Sequence, residues 1–185
     1  MTLKTMKKAT YLLILITGVF TLVACGGSEV EKPQEEEQIV KIKGLEMLDL
    51  SPYGYNLSIM VPKAEMNGVA EVELTESGAL QIIIGLSYGI EIMYGAGDIE
   101  LLKQDLEEDL IFNSEIVLEE KNALVYTLNI PDVGVKFQNH FMYRAEIGND
   151  IYEVRDIAAQ EYGLGMIEKM LESAKTIDAS DRSAM

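Results

Sequence analysis

The chain has 185 residues and a mass of 20.6 kDa, and its 31 Asp and Glu outnumber its 15 Lys and Arg to give a formal net charge of -16. This balance excludes electrostatic binding to nucleic acid, because affinity for the phosphate backbone depends on Lys and Arg. One Cys and one His exclude an internal disulfide and a zinc site of the usual Cys and His composition. The 48% hydrophobic and 25% charged residues indicate one folded domain of ordinary size.

The N-terminus has the pattern of an export signal. Three positive residues, Lys4, Lys7 and Lys8, precede an apolar run without charge at residues 11–23. The run is too short for a membrane helix, which needs about 20 apolar residues, but it suits a secretory signal of about 7–15. We therefore expect residues 1–24 to be a signal peptide.

The apolar run ends in Leu22-Val23-Ala24-Cys25, which resembles the lipobox of bacterial lipoproteins. The resemblance implies that Cys25 is the lipid attachment point, carrying diacylglycerol and usually an acylated amine, and that it becomes the mature N-terminus. It also implies a place in the bacterial cell envelope, facing away from the cytoplasm, on the outer membrane or the outer face of the plasma membrane. The alternative is a simple anchor helix or a conventional signal peptide in which Cys25 is only a small apolar residue.

Residues 25–38 are rich in Gly and Glu and contain little that could enter a core. They predict a solvated, extended tether between the lipid and the domain. Removal of the signal peptide takes away three lysines and no acid, so the mature formal charge falls from -16 to -19. A second interpretation treats Ser28-Glu29 and the acidic run at residues 35–37 as a sorting signal for surface export.

The sequence predicts strands followed by a helix in the first half of the domain. Residues 56–61 alternate apolar and polar side chains up to Pro62, and residues 69–74 alternate again. Residues 79–85 and 88–94 are apolar almost throughout, which predicts central strands covered on both faces. Asp98 suits a helix N-cap. The apolar face predicted for that helix consists of Ile99, Leu102, Leu106 and Leu110.

The sequence predicts two hairpins and a helix in the second half of the domain. Residues 115–120 and 123–130 form the first hairpin, and residues 136–147 and 150–157 form the second. A two-residue type II′ turn at Gly148-Asn149 places Arg144 opposite Glu153, whereas a turn at Asn149-Asp150 would place Arg144 opposite Arg155. Because like charges opposite one another are unfavourable, the first register is predicted.

A last helix is predicted at residues 163–177, with Met166 and Met170 filling gaps in the core, and residues 178–185 should fray. The order of elements predicts a single α+β domain at residues 39–177, with a mostly antiparallel sheet and two main helices packed on it.

The segments at residues 54–62, 151–154 and 166–175 resemble the PsbP-like/DcrB-like group, with the resemblance covering residues 45–177. In that group a tyrosine-bearing strand ends in proline and a helix with a Met-x-x-Ser-type segment closes the domain. The aromatic residue that commonly follows the first proline is missing here. The resemblance implies an α/β/α sandwich that serves as an accessory or binding module without catalytic residues.

The sequence contains no pattern that predicts a catalytic, cofactor-binding or metal-binding residue. His140 is the sole imidazole, and no Gly-x-Ser-x-Gly elbow accompanies it, so we interpret it as a surface or hydrogen-bonded strand residue. Gly95-Ala96-Gly97 imitates part of a phosphate-binding turn, but Asp98 would repel phosphate. The acidic residues of the first helix spread too little to wrap Ca²⁺; they are Asp105, Glu107, Glu108 and Asp109.

The leading hypothesis is a non-enzymatic envelope lipoprotein, held to the membrane through Cys25, that binds an envelope protein or assists envelope assembly. The alternative is an immunity or inhibitor lipoprotein that neutralises a basic toxin, for which the acidic surface would steer association. A carboxylate-dependent hydrolase is the third hypothesis. No cofactor is expected in any of the three.

Overall fold

The computed structural model describes residues 44–131 and 138–180, which all belong to one compact unit. The predicted signal peptide at residues 1–24 and the predicted lipidated Cys25 and tether at residues 25–38 lie outside the described residues. Within the described part of the chain, no helix has both the length and the hydropathy required to cross a bilayer.

The described residues form ten strands and three α-helices. In chain order the strands are β1 (Leu45–Asp49), β2 (Leu57–Pro62), β3 (Glu71–Leu74), β4 (Leu80–Ile84), β5 (Tyr88–Tyr94), β6 (Asn113–Glu120), β7 (Ala123–Asn129), β8 (Gln138–Ile147), β9 (Asp150–Asp156) and β10 (Asp178–Ala179). The helices are α1 (Ala64–Asn67), α2 (Ile99–Glu108) and α3 (Leu164–Ala174), and a 3-10 turn lies at Ser51–Tyr53. The predicted α+β class is confirmed.

Both sheets are antiparallel. The large sheet has seven strands in the order β3-β4-β5-β9-β8-β7-β6, and the small sheet has the order β1-β2-β10. We name the two faces of the large sheet after the helices on them: the α3 face carries Ile82, Ile90, Phe141 and Val154, and the α2 face carries Tyr126, His140, Met142 and Arg155.

The main core lies between the α3 face, α3 itself and β2. Alternate strand residues supply it, because successive side chains of a strand point to opposite faces. Met170 is fully buried there and Met166 packs against the same core, so the predicted filling role of the methionines is confirmed. The stripe that α3 contributes has helical spacing and consists of Ile167, Met170, Leu171 and Ala174.

A smaller core lies on the α2 face. Ile99 and Leu106 of α2 pack there against Leu124 of β7 and Met142 of β8. The predicted N-cap is confirmed, because Asp98 Oδ1 accepts a hydrogen bond from the Leu101 amide at 3.0 Å.

The helix α2 ends earlier than predicted. Leu110, expected on its apolar face, is 99% exposed and follows the last helical residue, Glu108. The carboxylate of Asp109 accepts hydrogen bonds from the amides of Ile111 and Phe112. This local bonding gives the backbone an alternative to another helical turn, as short acidic side chains often do.

The prediction that β4 and β5 are covered on both faces is wrong for the α2 face. Ile82 and Ile90 are fully buried on the α3 face, but Ile83 and Met93 on the other side are only half-buried. The helix α2 packs against β6, β7 and β8 instead, which leaves this end of the sheet open.

The predicted register of the β8–β9 hairpin is confirmed. Arg144 lies opposite Glu153 and Tyr143 lies opposite Val154, with Gly148 at a positive φ of 62° in the connecting turn. Opposite charges therefore face each other across the strands, and the α3 face of the hairpin carries the predicted apolar set, Phe141, Tyr143, Ala145, Tyr152 and Val154.

The predicted fraying from residue 178 onward is wrong at its start. Asp178 and Ala179 form β10 and pair with Ser58 and Leu57 of β2, while residues 181–185 lie outside the described residues. A two-residue strand has no local signal, since it forms only because α3 delivers the chain to the free edge of β2. The structure also adds β1 and α1, which the sequence patterns did not predict.

Candidate functional site

A cleft of about 530 Å³ lies on the α2 face, where α2 stops covering the sheet. This volume falls in the range typical of small-molecule sites, about 300–1,000 Å³. One wall is formed by Leu101, Leu102 and Asp105 of α2 and the opposite wall by strands β7, β8 and β9. The cleft therefore exists because a ten-residue helix is too short to cover a seven-stranded sheet.

His140 and Asp156 form a buried pair in this cleft. His140 Nδ1 lies 2.8 Å from Asp156 Oδ2, and the Phe141 amide donates to Asp156 Oδ1 at 2.8 Å. The two residues are 8% and 3% exposed. The β8–β9 ladder ends at Met142 and Arg155, so the carboxylate provides the acceptor that the Phe141 amide no longer finds in the ladder.

The remaining nitrogen of His140 opens into the cleft. When the imidazole is neutral, donation from Nδ1 to the Asp156 carboxylate leaves the lone pair on Nε2. Among the described residues, Nε2 has no hydrogen-bond partner. Every fully buried side-chain nitrogen or oxygen atom of these residues does have a partner, so Nε2 is not fully buried. Nε2 must therefore reach solvent, and the solvent-filled space beside His140 is the cleft.

Tyr126 lies beside the imidazole. It is opposite His140 in the β7–β8 ladder, and the two ring centroids are 5.4 Å apart. Burial raises the pKa of Tyr126 to about 12, with the Asp156 carboxylate acting in the same direction. The phenol consequently stays protonated at neutral pH and adds a hydrogen-bond donor to the cleft.

The charge of the lining is negative. Four carboxylates line the cleft, at Asp98, Asp105, Glu153 and Asp156, against one guanidinium, that of Arg155. Arg155 is itself occupied, with Nη2 2.9 Å from Glu91 Oε1 and Nη1 3.3 Å from Glu153 Oε1. Asp105 is exposed and has no partner in the described part of the chain. A positively charged group is thus favoured in the cleft.

Only some of the residues discussed from the sequence line this cleft. His140 is a hydrogen-bonded strand residue, in line with the sequence interpretation, but its partner Asp156 and its neighbour Tyr126 were missed. The sequence held no direct signal for Asp156, since the predicted hairpin register places it opposite Phe141, on the other face of the sheet from His140. The contact forms where the β8–β9 ladder has ended at Met142 and Arg155.

The acidic residues of α2 do not act together. Asp105 lines the cleft, whereas Asp109 binds the two following amides and has its pKa lowered by those hydrogen bonds. No group of three or more His, Cys, Asp or Glu within residues 44–131 and 138–180 is arranged to hold a metal ion. Gly97 leads into α2 at a positive φ of 54°, and the Ala96 carbonyl accepts from Arg144 Nη1 at 2.7 Å.

The chemistry of the cleft is that of an acceptor site. Its described lining includes no Ser, Thr or Cys that the imidazole could activate as a nucleophile. Family models, curated proteins and solved structures were all compared with the chain, and none matches.

Proposed function

We propose that this chain is a lipid-anchored, non-enzymatic binding module of the bacterial cell envelope, whose cleft receives a positively charged group of a protein partner. The observation that carries the proposal is an acidic cleft with a histidine acceptor at its floor. The absence of Ser, Thr and Cys from the described lining favours binding over covalent catalysis. The resemblance to the PsbP-like/DcrB-like group supports an accessory role and stays a prediction.

The anchor in this proposal is the lipid on Cys25. Each buried CH₂ contributes about 0.8 kcal/mol of membrane affinity, so two or three acyl chains hold a protein where one would not. The support is the lipobox-like tetrapeptide Leu22-Val23-Ala24-Cys25 directly after a basic and an apolar segment. The domain would face away from the cytoplasm.

Labelled palmitate tests the anchor. We expect the full-length chain, produced in a bacterial host, to incorporate the label and to sediment with membranes. Cys25→Ser should incorporate none and retain its signal peptide, whereas the neighbouring control Ser28→Ala should behave as the wild type. Label on the Cys25→Ser variant would contradict the proposal.

Site-specific crosslinking tests the binding role. Leu101 lines the cleft and is 54% exposed, and Leu110 is 99% exposed but outside the lining, so the two are a matched pair for a photoreactive amino acid. We expect the probe at position 101 to capture a discrete envelope partner and the probe at position 110 to capture none. Capture at 101 should decrease with Asp105→Asn. Equal capture at both positions would contradict the proposed binding role of the cleft.

The immunity alternative uses the same cleft, with the cationic group belonging to a toxin. A toxin identified as the crosslinked partner would favour it over an assembly role. The hydrolase alternative is favoured by the His140–Asp156 pair, because an imidazole held by a carboxylate is a competent general base for a water molecule. Ester or peptide turnover that His140→Gln abolishes would favour the hydrolase over the binding module.

A further inference from the structure

We infer that the cleft recognises the N–H groups of a primary alkylammonium, as on a lysine side chain, with His140 Nε2 as the acceptor. The inference rests on the proposed cation-binding function and names the atom and the ligand chemistry that confer specificity. Charge alone would let any cation bind, whereas a hydrogen-bond acceptor at the floor distinguishes cations that carry N–H groups from those that do not.

The depth of the acceptor is the first argument. The His140 side chain is 10% exposed, so a ligand that reaches Nε2 also displaces the little water that reaches it. An acceptor buried without a partner costs free energy, and a ligand lacking a donor would leave Nε2 in that state. Sites built around a buried polar group reject analogues that cannot pair with it.

The tautomer is the second argument. The Asp156 carboxylate holds the proton on Nδ1 and also accepts the Phe141 amide, so neither the ring nor its partner is free to reorient. A neutral His140 therefore presents an acceptor to the cleft. An anionic or acceptor-only ligand would meet this lone pair and the surrounding carboxylates, and both would repel it.

The walls of the cleft are the third argument. Leu102, Leu128 and Met142 provide apolar surface between the rim and the floor. An alkyl stem can lie along such surface while its charged end is solvated elsewhere, as lysine stems commonly do. Asp105 at the exposed wall supplies the opposite charge without being engaged by another residue of the described chain.

The size of the head group favours ammonium over guanidinium. A guanidinium presents five donors in a rigid planar fork, and a single deep acceptor would leave most of them unpaired. An ammonium is a compact charge with three donors that rotate freely about the stem. One donor to Nε2, with the others directed to water and the rim, satisfies this group.

Two lysine derivatives of equal charge test the inference. Nα-acetyl-lysine-methylamide and its ε-trimethyl analogue carry the same charge, but in the second three methyl groups replace the three N–H hydrogens, and each can be titrated into the full-length lipoprotein in detergent micelles by calorimetry. We expect the unmethylated ligand to bind at least about tenfold more tightly, the range expected when a buried acceptor is left unpaired. The arginine derivative should fall between them, and butylamine shows whether the stem alone suffices.

Variants assign the effect to its atoms. His140→Phe keeps a ring against Tyr126 but removes the acceptor, so the ratio between the two lysine ligands should fall to about one. Asp105→Asn alters an exposed side chain outside the core and should weaken both ligands equally, with Glu73→Gln on β3 as the control that changes neither. Circular dichroism checks that each variant is folded.

The outcomes separate the inference from the function beneath it. Tighter binding of the unmethylated ligand to the wild type, together with a ratio near one in folded His140→Phe, supports the inference. Equal binding of both ligands overturns the inference and means that the cleft recognises positive charge but not N–H groups. Failure of every cation to bind overturns both the inference and the proposed function.

Discussion

The two faces of the seven-stranded sheet differ in how completely they are covered. On the α3 face, one helix and the small sheet bury a continuous apolar surface that extends across the sheet from β4 to β7. On the α2 face, a helix covers only β6 to β8, and the strands beyond it carry half-buried polar and charged side chains. The same strands thus build a core on one side and a cleft on the other, so stability and binding can be altered separately.

The largest expected effect compares Ile82 with Ile83. These neighbours have the same side chain, but Ile82 is fully buried on the α3 face and Ile83 is half-buried on the α2 face. We expect Ile82→Ala to lower the free energy of unfolding by about 2–5 kcal/mol, because it leaves a cavity. Ile83→Ala should cost about 1 kcal/mol, because solvent already reaches the site.

Urea denaturation of the two variants, followed by circular dichroism, measures this difference. Equal losses for Ile82→Ala and Ile83→Ala would mean that the α2 face is as closed as the α3 face. The two faces would then not differ in how completely they are covered, and the α2 face would have no open cleft.

The sequence predicts features that depend on local chemistry and on single hairpins. The Asp98 cap and the Arg144–Glu153 pairing both follow from neighbouring residues and from charge, and both are present. The strand β10 and the uncovered side of β4 could not be predicted, because they depend on where helices distant in sequence come to rest. An apolar strand looks the same whether one face or both are covered.

The same limit applies to the candidate site. The contact between Asp156 and His140 could not be predicted from the hairpin register, because that register places the two side chains on opposite faces and the contact forms beyond the end of the β8–β9 ladder. Tyr126 could not be predicted either, because its place opposite His140 requires the register between β7 and β8 across a longer connection. The wall formed by α2 depends on tertiary packing that no periodicity in the sequence specifies.

A second prediction concerns a buried polar chain on the α3 face. Ser173 Oγ donates to the Met60 carbonyl, and the Tyr88 hydroxyl donates to Ser173 Oγ at 2.7 Å. Burial raises the pKa of Tyr88, consistent with a phenol that has no access to water. Ser173→Ala leaves both the phenol and the carbonyl unpaired, so we expect a loss of about 1–3 kcal/mol in the free energy of unfolding.

Tyr88→Phe and Ser77→Ala complete this series. Tyr88→Phe removes one donor without leaving a buried group unpaired, so it should cost less than Ser173→Ala, about 1 kcal/mol. Ser77 is exposed in a turn, and Ser77→Ala should cost less than about 0.5 kcal/mol. A larger loss for Tyr88→Phe than for Ser173→Ala would contradict the direction of the hydrogen bonds.

The smallest expected effect lies among the ion pairs of the α2 face. The Arg155 side chain is 44% exposed while it bridges Glu91 and Glu153, so water and salt weaken both pairs. We expect Arg155→Met, which keeps most of the apolar stem, to change the free energy of unfolding by about 0–1 kcal/mol and to remove the part of its salt dependence that these two pairs contribute. Lys121→Met, at an exposed turn, is the control for the loss of one positive charge. If Arg155→Met lowers the free energy of unfolding much more than Lys121→Met does, and high salt does not change this loss, the two ion pairs lie in a dry interior. The α2 face around Arg155 would then be a second core and not an open surface.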